Sequence, residues 1–129
     1  HDPLRRQRQM CIRDSINMGH EPMMVLDQKF NFEYIKSTLP PMGLMQVKDE
    51  SFFKTTTMDI SEKTILIYTD GVTEGYIDEG KELEVAGLEN EIKKLNSTSP
   101  EIIINHATTI LTEKGFALRD DITALGIKI

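Results

Sequence analysis

The sequence predicts an α+β domain, mainly antiparallel strands with two helices packed on them, and three features carry that expectation. Short segments rich in apolar and β-branched residues occupy the chain up to Thr69. Two helical stripes follow between Val85 and Leu111, and an alternating apolar segment from Leu125 to Ile129 ends the chain.

Residues 1–15, HDPLRRQRQMCIRDS, stand apart because they are basic and follow neither a helical nor a strand period. The stretch from Arg5 to Ser15 resembles translated sequencing-adaptor sequence, with a disordered basic arm as the alternative. The domain itself is therefore expected to occupy residues 16–129.

Met23 to Leu26 and Phe30 to Ile35 read as two short strands joined across Asp27-Gln28-Lys29. Leu39 to Leu44 is a loop, since Pro40 and Pro41 lack backbone donors and Gly43 allows a turn. Threonine-rich Phe52 to Met58 reads as a strand, and the continuous apolar run Thr64 to Thr69 as a strand buried on both faces. Val85, Leu88, Ile92 and Leu95 share one helical stripe, with Glu89 and Lys93 paired at i,i+4 on the outer face. In the next helix Ser99 is the candidate N-cap and Pro100 suits the first helical position. Ile103, Ala107, Ile110 and Leu111 form its buried face, and Gly115 follows its last turn. Leu125, Ile127 and Ile129 alternate with smaller or polar residues in the closing strand.

Bulk properties narrow the class. At 129 residues, 39% hydrophobic and 28% charged, the chain suits one compact domain. Apolar runs such as Ile102-Ile103-Ile104 fall far short of the roughly 20 residues that span a bilayer, and the N-terminus is too polar for a signal peptide. A single cysteine, Cys11, excludes an internal disulfide framework and a cysteine-based zinc site, which points to a reducing, cytoplasmic setting. The net charge is −6, and residues 1–15 place four arginines against Asp2 and Asp14, so the remainder is two charges more acidic still. That balance disfavours nucleic acid, whose phosphates are bound by surplus Lys and Arg.

Two segments could carry chemistry: Tyr68-Thr69-Asp70-Gly71-Val72-Thr73-Glu74 and Arg119-Asp120-Asp121-Ile122-Thr123. Each sets a carboxylate at the end of an apolar strand, and oxygen donors on rigid strands suit hard cations such as Mg2+ and Mn2+. An ordinary role competes, because Asp-Gly is a common hairpin signal and Asp-Asp before a strand a common turn. Spacing alone does not show that the two segments meet. His20 reads as a hydrogen-bonded turn residue rather than a general acid, and His106 as a packed or surface histidine beside the second helical stripe. Met18, Met23, Met24, Met42 and Met45 read as core gap-fillers and imply no cofactor.

Four motifs in order resemble the SpoIIE/RsbU family of PPM-type (PP2C-like) serine/threonine phosphatase domains. Tyr68 to Glu74 matches the family signature residue for residue, and Asp120-Asp121-Ile122-Thr123 its closing motif. Asn17-Met18-Gly19-His20-Glu21-Pro22 is similar to its Asn-Ala-Gly-His-x-Pro turn, and Pro41-Met42-Gly43-Leu44 to its Pro-Leu-Gly-Leu segment. The resemblance implies part of a PP2C-like α-β-β-α sandwich, its C-terminal portion, and a metal-dependent protein phosphatase activity. It also implies that Asp70 and Asp120 are ligands of a binuclear Mn2+ or Mg2+ centre, with Asp121 an auxiliary carboxylate and Gly71 providing a tight turn. A metal-activated water would attack the phosphate with no covalent enzyme intermediate. The family's usual partner is a phosphorylated anti-sigma-factor antagonist, under control of an attached sensor or receiver domain.

The chain also departs from the family. No Asp-x-x-Gly-His-Gly motif, which carries the metal-bridging aspartate, occurs in it, and Lys81 to Val85 lacks the usual Phe-Gly. The chain alone is thus expected to be nearly inactive, and an open sheet edge to promote self-association. Two other expectations compete: a non-catalytic binding module of the same fold, and an unrelated α/β domain whose Asp70 and Asp120 lie far apart.

Overall fold

The computed structural model describes residues 12–113 and 121–129. Expectations placed on Cys11, Gly115 and Asp120 lie outside these residues. The described strands are β1 (Ile12–Ser15), β2 (Met23–Leu26), β3 (Phe32–Ile35), β4 (Thr56–Asp59), β5 (Thr64–Tyr68), β6 (Tyr76–Asp78), β7 (Lys81–Glu82) and β8 (Ala124–Lys128). The helices are α1 (Asp70–Thr73), α2 (Glu84–Leu95) and α3 (Pro100–Thr112).

A four-stranded antiparallel sheet of order β3-β2-β5-β8 forms the centre. The side chains of β5 alternate between its two faces, and both faces are covered, which is why its sequence reads as one apolar run. On one face Leu66 and Tyr68 pack with Met24 and Leu26 against Leu88 and Ile92 of α2 and Ile103 and Leu111 of α3. On the other, Ile65 joins Val25, Ile35 and Ile60, with Met58 and Ile67 packed alongside. Met58 belongs to β4, which pairs antiparallel with β1 as a second sheet layer. The order of layers is helices, sheet, sheet, the α-β-β part of the expected sandwich.

Ile12–Ser15 were expected to lie outside the fold, yet they form β1, opposite Thr56–Asp59. Four residues with no internal period are held by pairing with a distant strand, a cause that no local pattern reveals. The strand expected from Phe30 begins instead at Phe32, because Phe30 takes a left-handed φ of 62° in the hairpin loop. That loop is built on Asp27, whose carboxylate accepts from Lys29 N at 2.8 Å, Asn31 N at 3.0 Å and Asn31 Nδ2 at 3.0 Å. These bonds, led by that from the Asn31 backbone, hold the Asp27 carboxyl below its usual range. The strand expected from Phe52 starts only at Thr56; Glu50–Phe52 form a 3-10 turn capped by Asp49.

Both amphipathic helices sit where the stripes place them. Their polar faces differ from expectation: Glu89 accepts a short hydrogen bond from the Tyr34 hydroxyl of β3, and Lys93 lies over the Phe32 ring, 5.5 Å from its centroid. Glu91 of α2 pairs with Lys94 at 3.5 Å and shares a hydrogen bond of 2.8 Å with His106 Nε2 of α3. Ser99 precedes α3 without a side-chain capping bond, and Pro100 occupies the first position as expected. Among the described residues no helix is long and apolar enough to cross a membrane.

In β8 the small residues turn inward. Gly126 faces α3, where an added Cβ would stand 2.5 Å from Pro100 Cβ, and Ala124 packs in the helix-side core. Leu125, Ile127 and Ile129 point to the opposite face and stay exposed. The helix needs close approach to the sheet here, so the bulky side chains take the other face.

Candidate functional site

Antiparallel pairing brings three chain segments to one end of the central sheet. β2 runs against β5 with Met24 opposite Leu66, so the turn that precedes β2, residues 17–22, lies beside the exit of β5. β8 runs against β5 with Ala124 opposite Tyr68, so the segment 121–123 enters at that same end.

Thr69 joins the two motifs. Its N–H donates to Thr123 O at 2.9 Å, one more rung of the β5–β8 ladder. The reciprocal rung is not made through the Thr69 carbonyl, which instead accepts from Val72 N at 3.0 Å and starts the α1 turn. The side chain replaces it: Thr123 N donates to Thr69 Oγ1 at 3.1 Å, and that hydroxyl donates to Asp121 O at 3.2 Å. A β-branched hydroxyl residue thus lets the strand end and the helix begin without leaving a ladder group unpaired. Sequence reasoning gave Thr69 no role; its position between an apolar strand and Asp-Gly was the available signal.

Asp70 and Gly71 open α1, so Asp-Gly here starts a helical turn rather than a hairpin. The Asp70 carbonyl accepts from Glu74 N at 2.8 Å and from Thr73 Oγ1 at 3.3 Å. Its carboxylate is half-buried, and no described residue donates a hydrogen bond to it. Gly71 is buried inside the turn with a helical backbone. Asp121 is exposed, and its carbonyl is held by Thr69. Asp120 precedes it, outside the described residues.

The donors suit a hard divalent cation in kind, since Asp70 offers carboxylate oxygens without a competing partner among the described residues. In number they are few. Among the described residues no group of three or more His, Cys, Asp or Glu side chains is placed to share an ion.

The flanking turn is built on Asn17. Its Nδ2 donates to Ile35 O at 3.1 Å and Glu21 O at 3.3 Å, while its Oδ1 accepts from His20 N at 3.0 Å. His20 bonds through Nδ1 to Glu21 O at 3.0 Å, the turn role expected of it. Tyr68 is buried, and its hydroxyl has no hydrogen-bond partner among the described residues. Burial, then the charges of Glu21 and Glu89, push its phenol up to about 12. His106 is remote from this end in role, spending its Nε2 on Glu91.

Comparison with known proteins agrees with this architecture. The helix-covered antiparallel sheet with a second sheet layer is the PP2C-like fold. A structure of the RsbU and RsbW domains of a Mycobacterium tuberculosis protein superposes with a TM-score of 0.69 at 21% identity, over 92% of this chain and 32% of that one. The PP2C domain of SiaA from Pseudomonas aeruginosa gives 0.70 at 16% identity, over 96% of this chain and 48% of that one. The chain thus spans less than half the length of either. No curated protein matched. The sequence profile described as Stage II sporulation protein E (SpoIIE) matches residues 13–129, and the chain belongs to that family.

Proposed function

We propose that this chain is part of a metal-dependent serine/threonine protein phosphatase, with Asp70 and Asp120 as ligands of Mn2+ or Mg2+. The observation that carries it is the bonding of Thr69 to Asp121 O and Thr123, which sets the two aspartate motifs side by side at one sheet end. When bound, such ions supply a water of lowered pKa and offset charge on the phosphate. The chain's own residues do the positioning. In this reading β5 and β8 would carry the two aspartate segments, the bonds of Thr69 to Asp121 O and Thr123 N would tie them together, and Asp121, next in sequence to Asp120, would be an auxiliary acid. The substrate in this reading is a phosphorylated regulatory protein of the anti-sigma-factor antagonist type.

A second reading, a binding module that does no chemistry, draws on the small number of acidic ligands gathered among the described residues. Mn2+ titration of the chain, followed by calorimetry, separates the two. The phosphatase reading expects saturable binding that weakens by about tenfold or more in Asp70→Asn and in Asp120→Asn. Absence of binding, or binding indifferent to both substitutions, sinks it and leaves the module. Turnover of phosphoserine peptides by the chain alone is expected to be slight.

A further inference from the structure

We propose that the cavity between Ser15 and the turn at residues 17–22 holds an arginine side chain of the phosphoprotein substrate, two or three residues from the phosphorylated one. The proposal rests on the phosphatase reading of the Asp70 end and names the flanking residue that such a substrate would carry.

The cavity has a volume of about 180 Å³ and lies where the end of β1 approaches the central sheet. Its floor is apolar, made by Met23 of β2, Ile35 of β3 and Ile67 of β5. Small-molecule sites run to about 300–1,000 Å³, so this one suits a single long side chain rather than a cofactor. An arginine stem can lie along that floor while its guanidinium reaches the polar wall.

The wall offers acceptors with nothing to accept. Ser15 Oγ is buried and has no hydrogen-bond partner among the described residues. Such an atom has given up its bonds to water, and a donor carried in by a ligand restores one. Glu21 is half-buried and lines the same cavity. Hydrogen bonds reach only its backbone carbonyl, and among the described residues its carboxylate makes no ion pair. His20 turns Nδ1 to the Glu21 carbonyl at 3.0 Å. A carbonyl only accepts, so that bond assigns the proton of the neutral ring to Nδ1 and leaves Nε2 an acceptor. Asn17 has no donor to spare, since its Nδ2 is spent on Glu21 O and Ile35 O.

This set selects the charge of the ligand. A phosphate or carboxylate would find no free side-chain N–H in the lining. A guanidinium carries five N–H donors, no acceptor, and a fork that fits a carboxylate. Arg13 and Lys36, the basic residues next to the lining segments, are exposed and outside the lining, and neither pairs with Glu21. The net charge of −6 draws basic segments towards the protein in the first place.

Ile67 connects the cavity to the Asp70 end. It lies in β5, three residues before Asp70 opens α1, a span of about 10 Å at most. An extended peptide rises about 3.3 Å per residue, so a phosphate held at Asp70 sets the side chain two or three residues away at the cavity.

The test is fluorescence anisotropy of labelled phosphoserine peptides titrated with the 129-residue chain and Mn2+. One peptide has arginine three residues before and three after the phosphoserine. A second has citrulline, the uncharged isostere, at both places, and a third has its arginines eight residues away. The first is expected to bind about tenfold more tightly than the others, with Glu21→Gln removing that advantage and Ser15→Ala reducing it. Should Glu21→Gln fail to fold, Ser15→Ala carries the measurement. Equal binding of the arginine and citrulline peptides, no binding of either, or an advantage that survives the variants overturns the subsite. An advantage kept by the distant arginines overturns it in favour of general attraction to an acidic protein. The first peptide without its phosphate separates the two levels. If it binds as well as the phosphorylated form, the Asp70 reading fails, while arginine against citrulline, compared without phosphate, still decides the cavity.

Discussion

Replacing Gly126 by alanine tests whether α3 is seated on β8 as closely as the structure has it. The new Cβ would lie 2.5 Å from Pro100 Cβ, 3.2 Å from Ile104 Cδ1 and 3.3 Å from Leu66 Cδ2. Carbon atoms rest about 3.5–4.0 Å apart, so the contact with Pro100 must open by about 1 Å. The Ile104 and Leu66 methyls end flexible side chains and can yield a few tenths. Pro100 cannot, because its ring is fused to the backbone at the first position of α3. Relief therefore means moving the helix, with the Ile103, Ala107 and Leu111 packing that it carries.

Overpacking of this sort costs about 1–3 kcal/mol. A stiffer unfolded chain returns about 0.4–1 kcal/mol for Gly→Ala, leaving a net loss of about 1–2 kcal/mol. For a chain of this size that lowers the melting temperature by about 3–10 °C. Thermal melts by circular dichroism and urea titration measure it, with a lower midpoint and an unchanged urea dependence expected. A melting temperature equal to or above that of the parent chain would refute the close approach of α3 to β8.

Three further outcomes follow from named contacts. The buried Tyr68 hydroxyl lacks a partner among the described residues, so Tyr68→Phe is expected to raise unfolding free energy by about 1 kcal/mol in urea titration; a loss of stability would show that the hydroxyl is bonded. Thr69→Val removes the acceptor for Thr123 N and the donor to Asp121 O, costing about 1 kcal/mol and weakening Mn2+ binding; unaltered Mn2+ affinity would mean that the tie does not position the ligands. The hydrogen bond from His106, above all, holds the Glu91 carboxyl below its ordinary 4.5. A carboxyl lowered by folding contributes stability that is complete above its unfolded pKa and lost as pH falls through the folded value. His106→Gln should therefore flatten the acid side of the melting-temperature profile below about pH 4.5, and an unchanged slope there would exclude the pair as its cause.

Much of the fold was legible where residues report their own surroundings. Val85, Leu88, Ile92 and Leu95 recur at helical spacing because one face of α2 meets the sheet. The unbroken run through Ile65, Leu66 and Ile67 reports a strand covered on both faces. What stayed hidden depends on distant partners. Ile12–Ser15 become a strand only because Thr56–Asp59 lie alongside. Glu89 has a lysine at the right spacing but bonds to a tyrosine from another layer. The β6–β7 hairpin, with Gly80 at a φ of 66°, was signalled only by one glycine among charged residues. Met42 and Met45 carry the composition of a core, and only their exposure distinguishes them from Met24.

The candidate site divides in the same way, and its position depends on a residue that carries no chemistry. Each aspartate motif is visible alone, while their meeting is a property of the β5–β8 register. Side chains alternate faces along a strand, so a slip of one residue in β8 would turn Gly126 away from α3 and press Leu125 or Ile127 against Pro100. Neither fits where a single Cβ already reaches 2.5 Å from the proline. The slip would also move Thr123 from Thr69 and break the bonds to Asp121 O and Thr123 N. The glycine that admits the helix therefore also fixes which residue of β8 lies opposite Tyr68, and through that pairing it holds Asp121 and Thr123 against Thr69 at the end of β5.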